Sequence, residues 1–289
     1  MLARRVAVIN EKGGSAKTTL VSTIGSYLAL HRGRRVLAVD MDPQGQLGKV
    51  LGVEVRARRR SAIDLLLDSV LCDASSLDNS YEDATDPALS STSNLPIVGT
   101  RIPQLDVITA NKSLGLFPIL EDDEADPTGR LLRALDPTPE LETYDFVFFD
   151  APPSFGPLTL NVLRAATEVV VPVPLTYLAL DGCAKLVHTI ATVRDRYDHP
   201  DLHISMIVPT FYRRTKLANE ILDRLKQRFP KEIAHTVVGY HVKIDEAQSR
   251  GLSIFEYAPR DRSASAMAEL AEELELRGKP GTRWEAPRE

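Results

Sequence analysis

Glycine, lysine and hydroxyl groups crowd into the eight residues Lys12 to Thr19, K-G-G-S-A-K-T-T, directly after the apolar run Val6-Ala7-Val8-Ile9 and directly before a helix-like segment, Leu20 to Leu30. A strand that stops, a loop whose Gly13 and Gly14 lack Cβ atoms, and a helix starting at Thr18 aim backbone N–H groups and a positive dipole end at one spot. Such a spot holds anions. In the division of labour of a P-loop, the backbone of Gly13, Gly14, Ser15, Ala16 and Thr19 cradles phosphates. Lys17 reaches the β- and γ-phosphates, and the Thr18 hydroxyl ligates Mg²⁺.

Two further strand signals end in carboxylates. Val36 to Val39 is followed by Asp40-Met41-Asp42-Pro43-Gln44-Gly45, where Pro43 and Gly45 turn the chain into a loop. Phe146 to Phe149 ends in Asp150 and the pair Pro152-Pro153. Ligands of an open parallel sheet lie beyond the carboxyl ends of its strands, which puts these aspartates beside the phosphates. A tight solvated loop or a set of capping aspartates would explain any one of the three segments; their coincidence favours a metal and phosphate site.

The P-loop string departs from the ordinary G-x-x-x-x-G-K-[ST] pattern, with Glu11 and Ala16 at the two glycine positions. What remains, x-K-G-G-x-x-K-[ST], resembles the deviant Walker A motif of the ParA/MinD ATPases. Asp40 to Gly45 resembles that family's D-x-D-P-Q-G switch, and Tyr144 to Pro153 its Walker B segment. Pro153 to Leu163, Val169 to Pro174, Tyr177 to Gly182, Arg214 to Ala218 and Glu246 to Gly251 continue the likeness. The whole resembles a ParA/Soj-type partition ATPase.

The resemblance implies ATP and Mg²⁺ as ligands and slow ATP hydrolysis. Lys12 would cross a homodimer interface to the phosphates held by the partner subunit, Asp42 would position the attacking water, and Asp40 would join the Mg²⁺ and phosphate network. Thr18, Asp42 and Asp150 form the implied metal set. A ParB-like or cargo-bound activator and non-specific DNA would be the partners, with a cytoplasmic, nucleoid-associated location and no membrane attachment. Positioning of a protein cargo, or a MinD-like membrane-associated role, are the alternatives. Three departures bear on the site: Ala16 is compatible with the loop only at negative φ, Gly239 stands at a usual proline, and Thr176 stands at a frequent glutamate. Pro209 is the expected neighbour of adenine.

A net charge of −5 excludes a uniformly basic nucleic-acid protein but not one basic face. Candidate phosphate contacts for DNA are Arg194, Arg213, Arg214, Lys243 and Arg250, with the run Arg56 to Arg60 as a further patch. Scattered solvated charge is the plain alternative.

The elements that must position these groups follow from periodicity. At 289 residues, with 43% hydrophobic and 26% charged residues, the chain has the composition of a globular α/β domain. No apolar stretch approaches the ~18 residues of a membrane span. The two cysteines, Cys72 and Cys183, form no C-x-x-C. The predicted architecture is a doubly wound, mostly parallel sheet with helices on both faces. Strands are predicted near 4–9, 35–40, 104–109, 145–150, 167–173, 203–208 and 234–238, and helices over 18–31, 61–70, 125–135, 156–166, 180–197, 215–229 and 263–277. Residues 1–277 read as one ATPase domain with a polar insertion at about 72–101, and 278–289 as a frayed tail.

Overall fold

The computed structural model describes residues 3–54, 60–67, 95–119, 126–136, 138–177 and 179–277. Seven strands form its sheet: β1 (Arg4–Val8), β2 (Val36–Asp40), β3 (Val98–Gly99), β4 (Leu105–Ile108), β5 (Phe146–Asp150), β6 (Glu168–Pro174) and β7 (His203–Thr210). The seven lie in the order β3-β4-β2-β5-β1-β6-β7. All neighbours run parallel except β3, which is antiparallel to β4. Strands covered on both faces read as unbroken apolar runs rather than alternating ones, and β2 and β5 are buried at every residue.

Nine α-helices are described: α1 (Lys17–Arg32), α2 (Gln46–Val50), α3 (Arg130–Leu135), α4 (Pro157–Ala165), α5 (Ala179–Arg196), α6 (Lys216–Arg228), α7 (Val242–Ser249), α8 (Ile254–Tyr257) and α9 (Arg262–Arg277). The period-2 alternation of the strands divides the core into two layers. Val6, Val8, Ala38 and Phe148 pack under α1, α7, α8 and α9. Ala7, Val39, Val147 and Phe149 pack on the opposite face under α3, α4, α5 and α6.

The expected helix over 61–70 is a short 3₁₀ turn, Ala62–Leu65, held by a capping box between Ser61 and Asp64. Residues 68–70 lie outside the described residues, as do 72–94 of the expected insertion and the whole 278–289 tail. The end of that insertion is not loop, since Leu95 is buried and Val98–Gly99 pairs with β4. The helix expected over 125–135 is split into a 3₁₀ turn, Pro127–Gly129, and α3.

The strand expected at 234–238 is reduced to two isolated bridges, Ile207 with Ile233 and Tyr212 with Gly239. Its segment still runs along β7, with the Ala234 N–H donating to the Ile207 carbonyl and the Val238 N–H to the Pro209 carbonyl. Pro209 has no N–H to return, and the ladder breaks there. The segment is held from the other side instead. Arg277 donates to the carbonyls of Lys231, Glu232 and Ile233, and Glu273 accepts from the N–H groups of His235 and Thr236.

Beyond β2 the chain turns at Gly45, whose φ of 58° is left-handed and whose added Cβ would lie 2.4 Å from the Ala110 carbonyl oxygen. Backbone strain and a clash with backbone act together here. Gly45→Ala is therefore expected to lower stability by about 2 kcal/mol or more, measured as a shift in the urea midpoint; an unshifted midpoint would contradict the close approach of this turn to Ala110.

Candidate functional site

The expected groups converge because β5 lies between β1 and β2. Asp150 at the end of β5 is in register with Val8 of β1 and with Asp40 of β2. The loop after β1 and the start of α1 therefore sit over the two acidic strand ends.

Asn10 organises this loop. Its Nδ2 donates to the Pro172 carbonyl of β6 at 2.6 Å, and its Oδ1 accepts the Lys12 N–H at 2.8 Å. Its own carbonyl accepts from Lys17 Nζ at 3.1 Å. Burial draws the Lys17 ammonium below its ordinary pKa, while Asp150 and Asp42 oppose that shift. The Thr18 hydroxyl donates to Asp150 Oδ2 at 2.6 Å. A Cβ added at Gly13 or Gly14 would meet nothing within 4 Å, so the space above the loop is open to a ligand.

Ala16 corrects an expectation. Its φ is +78°, in the left-handed region, where an L side chain costs about 1–2 kcal/mol. The loop keeps the shape glycine would favour and carries the strain.

Two buried polar atoms in the site have no hydrogen-bond partner, Ser15 Oγ and Asp150 Oδ1. A carboxylate with one oxygen on a threonine hydroxyl and the other unpaired is a donor set suited to Mg²⁺, which takes one or two protein oxygens and completes its shell with water and phosphate. Desolvation pushes the Asp150 carboxyl up to about 7, against the Thr18 hydrogen bond and the Lys17 charge.

Asp40 has a different place from the one expected. It is fully buried, and both its oxygens accept loop N–H groups, from Asp42 and from Leu47, each at 3.0 Å. Burial, with Asp150 alongside, raises its pKa well above the carboxylate range. Asp40 thus anchors the switch loop from beneath. Asp42 is half-buried above it, one oxygen accepting the Gln44 N–H at 2.9 Å.

Lys12 is exposed, its Nζ 3.4 Å from the Thr176 hydroxyl. A cavity of about 250 Å³ opens beside it, lined by Asn10, Val173, Pro174, Gly182 and Cys183. A larger one of about 310 Å³ lies at the opposite end of the sheet. Its arginines are already paired, Arg5 with Asp136 and Arg164 with Asp126, and it plays no part in this chemistry.

Pro209, expected in a loop near the base, is a buried residue of β7. The open positions past that strand are Phe211, at φ +54°, and Tyr240, with ring centroids 6.2 Å apart. Arg213 lies 5.6 Å from the Tyr240 ring, while Lys243 and Arg250 both approach Tyr257, at 5.8 and 5.0 Å. Lys243 also pairs with Glu246 at 2.8 Å. Arg214 is exposed just after Arg213. Arg194, in the last turn of α5, pairs with Asp195 and belongs to the opposite helical layer from Lys243 and Arg250. Arg56 to Arg59 lie outside the described residues.

Sequence reasoning missed Asn10 and Gln248. The latter ties α7 to α1 through Thr19 and Ser22, at 3.5 and 3.4 Å. For Asn10 there was a signal: an Asn directly after a strand readily bonds backbone two residues on. Gln248 had none, because its partners are remote in sequence.

The unpaired carboxylate makes a prediction. With a folded-state pKa of about 7 against ~3.9 unfolded, Asp150 favours folding below the unfolded value, and this contribution is lost as pH rises through about 7. Asp150→Asn should therefore stabilise the nucleotide-free protein at pH 7.5 by about 1–3 kcal/mol, with a smaller gain at pH 5. Urea unfolding at the two pH values measures this; an equal or absent gain would refute the buried, unpaired charge.

Comparison with known proteins places the geometry in a lineage. Residues 3–204 match the AAA domain family. The chain is 34% identical over 278 residues to the sporulation initiation inhibitor protein Soj of Bacillus subtilis, covering 96% of this chain and 100% of that one. It is 36% identical over 280 residues to the chromosome-partitioning ATPase Soj of Thermus thermophilus, covering 95% and 96%. Cobyrinic acid a,c-diamide synthase from Mycobacterium smegmatis with bound ADP and magnesium is similar in structure, with a TM-score of 0.74, 30% identity and 98% of each chain covered. The septum site-determining protein MinD of Pyrococcus horikoshii shares the fold at 19% identity and a TM-score of 0.67, over 94% of this chain and 96% of that one. The chain belongs to the Soj/ParA family of ATPases.

Proposed function

We propose that this ATPase binds ATP with Mg²⁺, closes into a homodimer, holds DNA without reading its sequence, and hydrolyses ATP slowly to time its release. The observation that carries the nucleotide reading is the meeting of Lys17, Thr18 and the half-unpaired Asp150 at two adjacent strand ends, with Asp40 of a third in register beside Asp150. The family also carries this chemistry. Thr18 and Asp150 would hold Mg²⁺, which when bound supplies charge neutralisation on the β- and γ-phosphate oxygens.

The protein residues divide the remaining work. Lys17 exchanges the Asn10 carbonyl for phosphate oxygens, and the P-loop N–H groups bind the same phosphates. Asp42, steadied through its backbone by Asp40, orients the attacking water. Catalysis of this kind rests on positioning and electrostatics.

Dimerisation is supported by the distribution of exposed apolar side chains. Leu116, Phe155, Tyr177, Leu217, Tyr240 and Val242 are exposed, and each follows the carboxyl end of a strand or of the segment beside β7. They ring the rim on which Lys12 stands. A rim of this kind fits a face that a second copy covers, with Lys12 reaching across it.

DNA binding is supported by Arg213, Lys243 and Arg250, whose cationic groups lie over exposed or half-exposed tyrosines on one edge. Arg214 extends that edge, and Arg194 supplies a second one. A ParB-like or cargo-bound protein would accelerate hydrolysis, so that the DNA-bound state decays where the cargo is and drives partition or spacing. No described helix is long and apolar enough to cross a membrane.

Co-sedimentation with DNA in ATP, in ADP and without nucleotide tests this cycle. Retention is expected only with ATP, and to disappear in Lys12→Ala and Lys17→Ala; retention unaffected by either change would refute the switch. Asp42→Ala should instead persist on DNA and lose hydrolysis at least tenfold, which normal phosphate release would contradict. Retention should fall steeply with salt, and Lys243→Ala with Arg250→Ala should reduce the log–log salt slope by about 2. An unchanged slope would remove these two residues from the interface.

A further inference from the structure

The left-handed Ala16 has a neighbour that explains how the loop tolerates it. The Ser15 carbonyl, in a residue 1% exposed, accepts from the Thr210 hydroxyl at 3.4 Å, and Thr210 is fully buried at the end of β7. Among the described residues each is the other's only such partner: no helical N–H reaches the Ser15 oxygen, since the first bond into α1 runs from the Leu20 N–H to the Ala16 carbonyl. In a trans peptide the carbonyl and the following N–H point in opposite directions. Holding the Ser15 oxygen against β7 therefore turns the Ala16 N–H away from β7, toward the open side of the loop.

The geometry points to Thr210 as a positioning residue for nucleotide binding, which clamps the Ser15–Ala16 peptide so that a non-glycine residue keeps the conformation the phosphate cradle needs. Ala16 departs from the usual glycine, which would hold a left-handed conformation with no outside support. An alanine there relaxes to negative φ unless the surrounding structure over-determines it. The clamp comes from a strand two positions from β1 in the sheet and 195 residues away in sequence. No motif joins the two residues. The inference rests on the reading of this loop as the nucleotide site.

The test is a double-mutant cycle with Mg-ADP as the probe, using titration calorimetry on the full chain. Thr210→Val, which keeps shape and removes the hydroxyl, should weaken ADP at least tenfold. Thr210→Ser should stay within threefold of the parent. In the Ala16→Gly background, Thr210→Val should cost threefold or less. Hydrogen exchange of the nucleotide-free protein supplies an independent readout, with the peptide spanning residues 13–19 exchanging at least tenfold faster in Thr210→Val. Equal losses in both backgrounds, equal losses for Val and Ser, or unchanged loop exchange would overturn the role of Thr210. If the parent protein takes up no Mg-ADP, the nucleotide reading fails, and the exchange comparison still decides the clamp.

Discussion

The site is built around one carboxylate held in an unfavourable place. Asp150 is buried in the middle of the sheet, with Lys17 and Thr18 beside it and one oxygen unpaired. Leaving such an atom without a partner costs stability, and a divalent cation removes the cost. The nucleotide-free protein thus carries a local electrostatic deficit that its ligand would repair. Lys17, bonded to the Asn10 carbonyl, is in a similar state of temporary satisfaction.

Around this point the fold separates rigid parts from parts free to respond. Asp40 fixes the base of the switch loop by two hydrogen bonds from buried surroundings, which leaves Asp42 above it as the acidic group with access to the open side. Gln248 links the P-loop helix to α7, the helix that carries Lys243 and leads directly into Arg250. A change at the nucleotide therefore has a short covalent and hydrogen-bonded route to the proposed DNA edge. On the opposite layer, Arg194 has no comparable connection among the described residues, its side chain pairing with its neighbour Asp195.

Much of this was legible in the residues. Long apolar runs ended by charged or turn-forming residues located β1, β2, β5, β6 and β7, because strands buried on both faces admit little else. The long helices that cover the sheet, α1, α5, α6 and α9, also followed from pattern. The failures were short or shared elements. The 234–238 segment has strand-like composition, yet Pro209 denies it a continuous ladder. The turns of α2, α7 and α8 are too brief to show a helical period. Pro209 looked like a loop residue because proline is rare in a strand interior, while here it lies near a strand end, where the missing N–H costs one bond.

The sequence alone determined which groups converge at the site proposed for nucleotide, because a P-loop and strand-end aspartates are local grammar: each string fixes its own turn, and parallel strands deliver their ends to one side. Tertiary structure decided what each group does there. It assigned Asp40 to the loop beneath Asp42, left Asp150 half unpaired, and placed Thr210 against Ser15 to hold a left-handed Ala16. Those outcomes depend on desolvation and on hydrogen bonds between residues far apart in the chain, and neither quantity is written in any short stretch of residues.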